Sequence, residues 1–291
     1  MNWNEYQLDL GNNEYTWYAS NGDLSQINQS ENPPIIFLNG LSCTEQHYEK
    51  LFPILHKKNY PLIINDYRGH FRSSQMPDER ISIESISSDV VSIIKKHKLK
   101  DVVLVGHSMG ANIAVQVALK TPKSIGHMVL IGGPASEVSD SMFHSNALEF
   151  ILPLTEKLES FTPIVQKLLW NKVDSTLVSK LVYFLGFNTS QVKEEYVQRY
   201  LKDLTKVNPK TFNKLMKELI NQNYLPKLAM INCPTLIIGG SNDHIVTPKQ
   251  YELFESAMPN AHYLKVDNGS HVPQIEFPKV INKKIIDFMT A

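Results

Sequence analysis

Apolar residues enter this chain in short unbroken runs: Ile35-Ile36-Phe37-Leu38, Leu62-Ile63-Ile64, Val102-Val103-Leu104-Val105 and Met128-Val129-Leu130-Ile131. Runs without polar alternation predict strands covered on both faces, as in a parallel sheet packed between helices. The segments between them carry a helical period. From Ser82 to Lys98, Ile83, Ile86, Val90, Ile93 and Ile94 fall on one face, with Glu84 and Asp89 toward the start and lysines at the end, matching the helix dipole. Ahead of the first run, Glu5 to Leu10 and Glu14 to Ala19 flank Gly11-Asn12-Asn13, which predicts an antiparallel hairpin.

The strand pattern stops after Gly132-Gly133-Pro134 and resumes at Pro234-Thr235-Leu236-Ile237-Ile238-Gly239. Between them lie amphipathic helical windows broken near Pro153, Thr162-Pro163, Gly186 and Asn208-Pro209. The expected organisation is a helical insertion over residues 136–228 in a core made of residues 1–135 and 229–291. After the insertion the pattern predicts a helix from Pro248 to Met258, a strand over Tyr263-Leu264-Lys265-Val266 and a terminal helix from Glu276 to Met289. The insertion carries Phe143, Leu148, Phe150, Ile151, Leu152, Phe161, Leu168, Leu169, Trp170, Tyr183, Phe184 and Phe187, most of which are expected to pack its helices. A few are left to wall an apolar pocket.

Charge narrows the choice of partner. The 291 residues hold 29 basic and 29 acidic side chains, so no net field favours nucleic acid or an anionic membrane. The run Lys95-Lys96-His97-Lys98 ends a predicted helix and reads as a solvated terminus. The two cysteines, Cys43 and Cys233, stand in no metal-ligand spacing and suggest reduced packing residues. No apolar run approaches membrane-spanning length and Met1-Asn2-Trp3-Asn4-Glu5 does not open a signal peptide, so a cytoplasmic protein acting on a small molecule is expected.

The sharpest chemical signal is Gly106-His107-Ser108-Met109-Gly110, a G-x-S-x-G pattern set between a predicted strand and a segment with Ala111, Ala114, Val115 and Ala118 at helical spacing. A serine in a tight strand-to-helix turn is forced into a strained backbone, and the flanking glycines remove side chains where strand and helix approach. The helix N-terminus supplies free N–H groups for an oxyanion, with Met109 N–H as one donor. A serine hydroxyl needs a base, and the base needs a carboxylate to hold its tautomer. His271 follows the last strand, in Asn268-Gly269-Ser270-His271, and Asp243 follows the strand before it, in Gly240-Ser241-Asn242-Asp243. Both stand at strand carboxyl ends, the edge where open α/β sheets bind ligands. Asp267, Glu276 and Glu137 remain alternatives for the acid, whereas His107 reads as a packing or hydrogen-bonding residue.

These residues, with the Asn39-Gly40-Leu41 turn and Asp66-Tyr67-Arg68-Gly69-His70, make the chain resemble the α/β-hydrolase superfamily from about Glu5 to Met289. The resemblance implies an α/β-hydrolase fold: a mostly parallel eight-stranded sheet begun by a hairpin, with a helical cap inserted after the sixth strand. It also implies a cofactor-free Ser108–His271–Asp243 triad and a second oxyanion donor at Leu41 N–H. Asp66, Arg68 and His70 are expected to tie loops together. The family often has His-Gly where this chain has Asn39-Gly40, which leaves the Leu41 donor in place, and a glycine at Phe71, a change expected at the pocket wall. The implied function is hydrolysis of ester-like bonds in small, mainly apolar acyl substrates. Carbon–carbon bond hydrolysis, acyl transfer and perhydrolysis use the same triad, and a ligand-binding homologue without turnover is a further alternative. Ser108 speaks against the dehalogenase and epoxide hydrolase chemistries, which need a carboxylate nucleophile.

Overall fold

The computed structural model describes residues 1–137, 180, 183 and 187–290. Its strands are β1 (Asn4–Gly11), β2 (Glu14–Ser20), β3 (Ile35–Leu38), β4 (Leu62–Asn65), β5 (Val102–His107), β6 (Ile125–Ile131), β7 (Thr235–Gly240) and β8 (Ala261–Val266). They form one sheet in the order β1-β2-β4-β3-β5-β6-β7-β8. The β1–β2 and β2–β4 pairs are antiparallel and the rest parallel. At the hairpin Gly11, Asn12 and Asn13 all have positive φ (78°, 56° and 60°), the backbone that glycine and asparagine tolerate best.

Both faces of the central strands are covered. Ile36, Leu38, Ile63, Leu104, Leu130 and Ile237 enter one core cluster, while the alternate residues Ile35, Phe37, Ile64, Val103, Val105, Val129 and Ile238 enter the other. The first cluster packs on α2 (Ile83–Lys96) and α3 (Met109–Lys120); the second takes in Phe52 and Leu55 of α1 (Phe52–Lys57). Ser82 caps α2 in a reciprocal capping box with Ser85, satisfying N–H groups that the first turn leaves open.

Within the 136–228 span the described helices are α4 (Glu194–Leu204), α5 (Pro209–Asn221) and α6 (Leu225–Leu228). The expected break at Asn208-Pro209 is an N-cap: the Asn208 side chain accepts from Lys210 N, and Pro209 occupies the first turn. Pro153, Pro163 and Gly186, and every aromatic or aliphatic residue named above for the insertion except Tyr183 and Phe187, lie outside the described residues. After β7 come α7 (Pro248–Ala257), then α8 (Pro273–Glu276) and α9 (Pro278–Met289), the last two separated at Phe277, so Glu276, where the single expected helix was to begin, ends the first of them. A proline at the start of each piece explains the division, since it favours a first turn and cannot continue one. No helix among the described residues is long and apolar enough to cross a membrane.

Candidate active site

Ser108 sits between β5 and α3 at φ 53° and ψ −119°, a positive-φ backbone conformation that a non-glycine residue enters only under constraint. The constraint is close approach. A Cβ on Gly106 would lie 2.4 Å from Gly110 O, and one on Gly110 would lie 2.0 Å from Leu38 O, so neither position has room for a side chain. Ser108 N–H donates to Ile131 O at 2.8 Å, fixing the turn to the end of β6.

The neighbouring turn after β3 approaches the same serine: a Cβ built on Gly40 would meet Ser108 Cβ at 3.4 Å. Tyr48 and Tyr67 hold this turn by donating their hydroxyls to Leu38 O (2.7 Å) and Asn39 O (2.8 Å). The N–H of Leu41 donates no hydrogen bond among the described residues, and Met109 N–H opens α3, where the helix offers no acceptor. Leu41 N–H and Met109 N–H are therefore main-chain donors without an acceptor among the described residues.

Asp243 and His271 meet directly, His271 Nδ1–H donating to Asp243 Oδ2 at 2.9 Å, with the acid's side chain fully buried and the imidazole 9% exposed. Every other partner of the carboxylate is a donor as well. Ile245 N and Val246 N reach Oδ1 at 2.8 Å each, and the Tyr251 hydroxyl reaches Oδ2 at 2.5 Å. Burial and then the Asp243 charge push the Tyr251 phenol well above its ordinary range, so this hydroxyl keeps its proton. The alternative acids do not reach the ring. Glu137 and Asp267 are exposed, and Glu276, though buried, accepts from Ser270 N and Asn188 N at 2.7 Å each and from the Ser270 hydroxyl. Glu276 thus braces the loop that carries His271.

Ser108 and His271 share one patch, since a Cβ on Gly132 would stand 3.2 Å from His271 Cε1 and one on Gly133 would stand 3.2 Å from Ser108 O. The acid–base half of the arrangement is bonded; Ser108 Oγ makes no hydrogen bond to the imidazole in this conformation, a contact that commonly tightens only with substrate bound. The residue before the serine, His107, also contacts the base. Its ring lies 5.1 Å from that of His271, and its Nε2–H donates to His271 O at 3.0 Å. Its Nδ1 faces His47 Nδ1 at 3.3 Å, and burial holds both imidazoles neutral, pushing His47 down to about 4.

Cys43, His47 and His107 each offer a ligand atom within 4.8 Å of the others, a group that among the described residues could hold a soft metal ion. Each already has a partner: the two imidazoles bond to each other, and the thiol, pushed up by burial, donates to Leu41 O at 3.5 Å. Sequence spacing could not find this group, because it is assembled from β5 and the loop after β3. It missed Tyr251 and Glu276 as partners of the Asp243 and His271 loops for the same reason.

Behind the site, Arg68 forms a bidentate pair with Asp89 (2.6 Å to each oxygen), and Arg72 bridges Asp66 and Glu45 while stacking 3.5 Å over Trp17. His70 Nδ1–H donates to Arg68 O at 2.8 Å. Phe71, where glycine was expected by resemblance, has φ 43° and so keeps the glycine-type backbone with a side chain on it. Val272, next to His271 in sequence, lies in a buried apolar cluster with Phe187, Val192, Val197 and Leu201 of the 136–228 span.

Comparison with known proteins agrees with this fold. A model of the alpha/beta hydrolase fold matches residues 33–278. The sn-1-specific diacylglycerol lipase ABHD11 of Xenopus laevis is 25% identical over 251 residues, covering 82% of this chain and 74% of that protein. A 2-hydroxy-6-oxononadienedioate/2-hydroxy-6-oxononatrienedioate hydrolase of Pseudomonas putida is 24% identical over 254 residues, covering 86% and 84%. Among solved structures, an esterase from Exiguobacterium antarcticum superposes with a TM-score of 0.78 at 16% identity, covering 98% of this chain and 99% of that one.

Proposed function

The chain belongs to the alpha/beta hydrolase fold family, and from that premise we propose that it is a cofactor-independent serine hydrolase of ester-like bonds in small, mainly apolar acyl substrates. The observation that carries the reading is the bonded Asp243–His271 pair at the sheet edge that also presents Ser108 in its strained turn. In the proposed reaction Ser108 Oγ attacks the acyl carbonyl as His271 Nε2 takes its proton, while Leu41 N–H and Met109 N–H hold the oxyanion. The alcohol leaves with that proton, and water, deprotonated by the same imidazole, releases the acid from the acyl-enzyme. Asp243 keeps the imidazole proton on Nδ1 throughout. We further propose that residues 136–228 form a cap over this site. The buried cluster that joins Val272 to Phe187, Val192, Val197 and Leu201 supports the cap, and an apolar site closed by such a cap would favour uncharged, medium-length acyl groups.

Carbon–carbon bond hydrolysis, acyl transfer and perhydrolysis differ from this scheme in the bond cleaved or the acceptor, not in these residues. The deciding experiment is labelling with a fluorophosphonate probe, mapped by mass spectrometry, beside turnover of p-nitrophenyl butyrate. Modification confined to Ser108, with labelling and turnover both lost in Ser108→Ala, is the expected result. Labelling elsewhere, or turnover that survives Ser108→Ala, would remove Ser108 as nucleophile.

A further inference from the structure

The inner end of the proposed triad carries a group with no place in the three-residue scheme. Tyr251 lies on α7, fully buried, with its hydroxyl on Asp243 Oδ2, the same oxygen that accepts from His271 Nδ1. The fold makes room for it: a Cβ on Gly239 of β7 would fall 2.1 Å from both Tyr251 Cδ2 and Cε2, so only glycine there lets the ring lie against the strand. Tyr263 of β8 packs against the same ring at 5.5 Å between ring centroids.

We propose that Tyr251 is a positioning residue of the hydrolytic reaction, its hydroxyl holding the carboxylate of Asp243 on the imidazole and drawing charge from the oxygen that faces it. The inference rests on the serine-hydrolase reading and deepens it. Oδ1 is already held by two backbone N–H groups, so Tyr251 supplies the remaining constraint that stops the carboxylate from turning. It also competes for Oδ2. A carboxylate oxygen that accepts from two donors gives each less charge than it would give one, so the imidazolium formed during catalysis is stabilised less than in a plain Asp–His pair.

Removing the hydroxyl therefore has two separable consequences. Geometry loosens, which slows acylation. The charge on Oδ2 returns to His271, which favours its protonated form and moves the acidic limb of the rate profile to higher pH. The other titratable groups facing this pair are His107 and His47 from the serine side, Tyr263 from β8 and Glu276 beneath the His271 loop, with His244 and Asp267 exposed on the loops themselves. None of these is altered by the substitution.

The test is the second-order rate of Ser108 modification by a fluorophosphonate, followed by intact-mass spectrometry from pH 5 to 9, for the wild-type chain, Tyr251→Phe and Tyr263→Phe. In Tyr251→Phe the plateau rate is expected to fall about tenfold, as for loss of a hydrogen bond to a charged group. Its acidic limb is expected to rise by about half a pH unit. Tyr263→Phe, which loses a buried hydroxyl that has no hydrogen-bond partner, is expected to keep the wild-type profile. A Tyr251→Phe profile with an unmoved limb, or one matched by Tyr263→Phe, overturns the proposal and assigns Tyr251 to packing alone. If instead the wild-type chain is not modified at Ser108, the serine-hydrolase reading itself fails, so the two failures are distinct.

Discussion

His107 Nε2–H donates to the carbonyl oxygen of His271 at 3.0 Å, so the residue preceding the nucleophile holds the backbone of the base. A carbonyl only accepts, which places the His107 proton on Nε2 and leaves Nδ1 to accept from His47 Nδ1–H. The result is a one-way chain of donors, His47 to His107 to His271 O, in a buried region where both rings are neutral. Substituting His107 with alanine leaves the His271 carbonyl and the His47 N–H without partners and opens a cavity beside Ser108. A stability loss of about 3 kcal/mol in urea denaturation is expected. A loss below about 0.5 kcal/mol, the range of an ordinary surface change, would show that the chain is incidental.

Burial of neutral histidines gives the fold an acid-sensitive term. His47 and His70 are both pushed down to about 4 by desolvation, against an ordinary value of 6.5. Between those values the unfolded chain binds protons that the folded chain refuses, so stability rises with pH across the window. The contribution is complete above about 6.5 and is lost as pH falls toward 4. Each ring is expected to cost about 1 kcal/mol by pH 5.5 relative to pH 7.5. Comparing urea midpoints of wild type and His70→Gln at the two pH values checks this, since the variant should show the shallower dependence.

Much of this arrangement was legible in the residue order. The elbow could be read because its chemistry is local: Gly106 and Gly110 are set by contacts across one turn, and the strand and helix on either side announce themselves by apolar runs. Strand ends were harder. β6 begins at Ile125, ahead of the apolar run, because Gly126 and His127 are half-exposed and carry no burial signal. Edge strand β8 likewise starts at Ala261 with only Val266 buried. Tyr251 and Glu276 escaped because their roles depend on which loops meet, a relation between residues brought together by the sheet and not by spacing. Glu276 was weighed as the acid, and its bonds to Ser270 show a carboxylate near the base serving the loop instead.

The Arg68–Asp89 pair links the loop after β4 to α2 with both side chains mostly buried, 14% and 5% exposed. Asp89 Oδ2 also accepts from the Thr16 hydroxyl at 3.1 Å, so removing Arg68 leaves a charged carboxylate with one neutral donor. A buried charge that loses its partner costs more than the pair was worth. Arg68→Ala is expected to destabilise the chain by about 3 kcal/mol, and Arg68→Ala with Asp89→Leu by less than Arg68→Ala alone. Urea denaturation of the two variants decides it; equal losses would mean that the carboxylate is adequately solvated without the guanidinium.

The sharpest test of the proposed triad comes from the donors around Asp243. Ile245 N and Val246 N point at Oδ1, and Tyr251 O–H and His271 Nδ1–H point at Oδ2. An asparagine at this position must place its amide oxygen against the two backbone N–H groups, because the reverse orientation sets NH₂ against N–H. The amide nitrogen then faces His271 and donates to Nδ1, which can accept only if the ring proton moves to Nε2. That atom is the one proposed to take the Ser108 proton, so the base is blocked while the packing is unchanged. Asp243→Asn is expected to lower the rate on p-nitrophenyl butyrate by about 10³- to 10⁴-fold with an unaltered circular dichroism spectrum. A loss of only a few fold would mean that Asp243 does not set the tautomer, and the carboxylate would be left as a loop anchor.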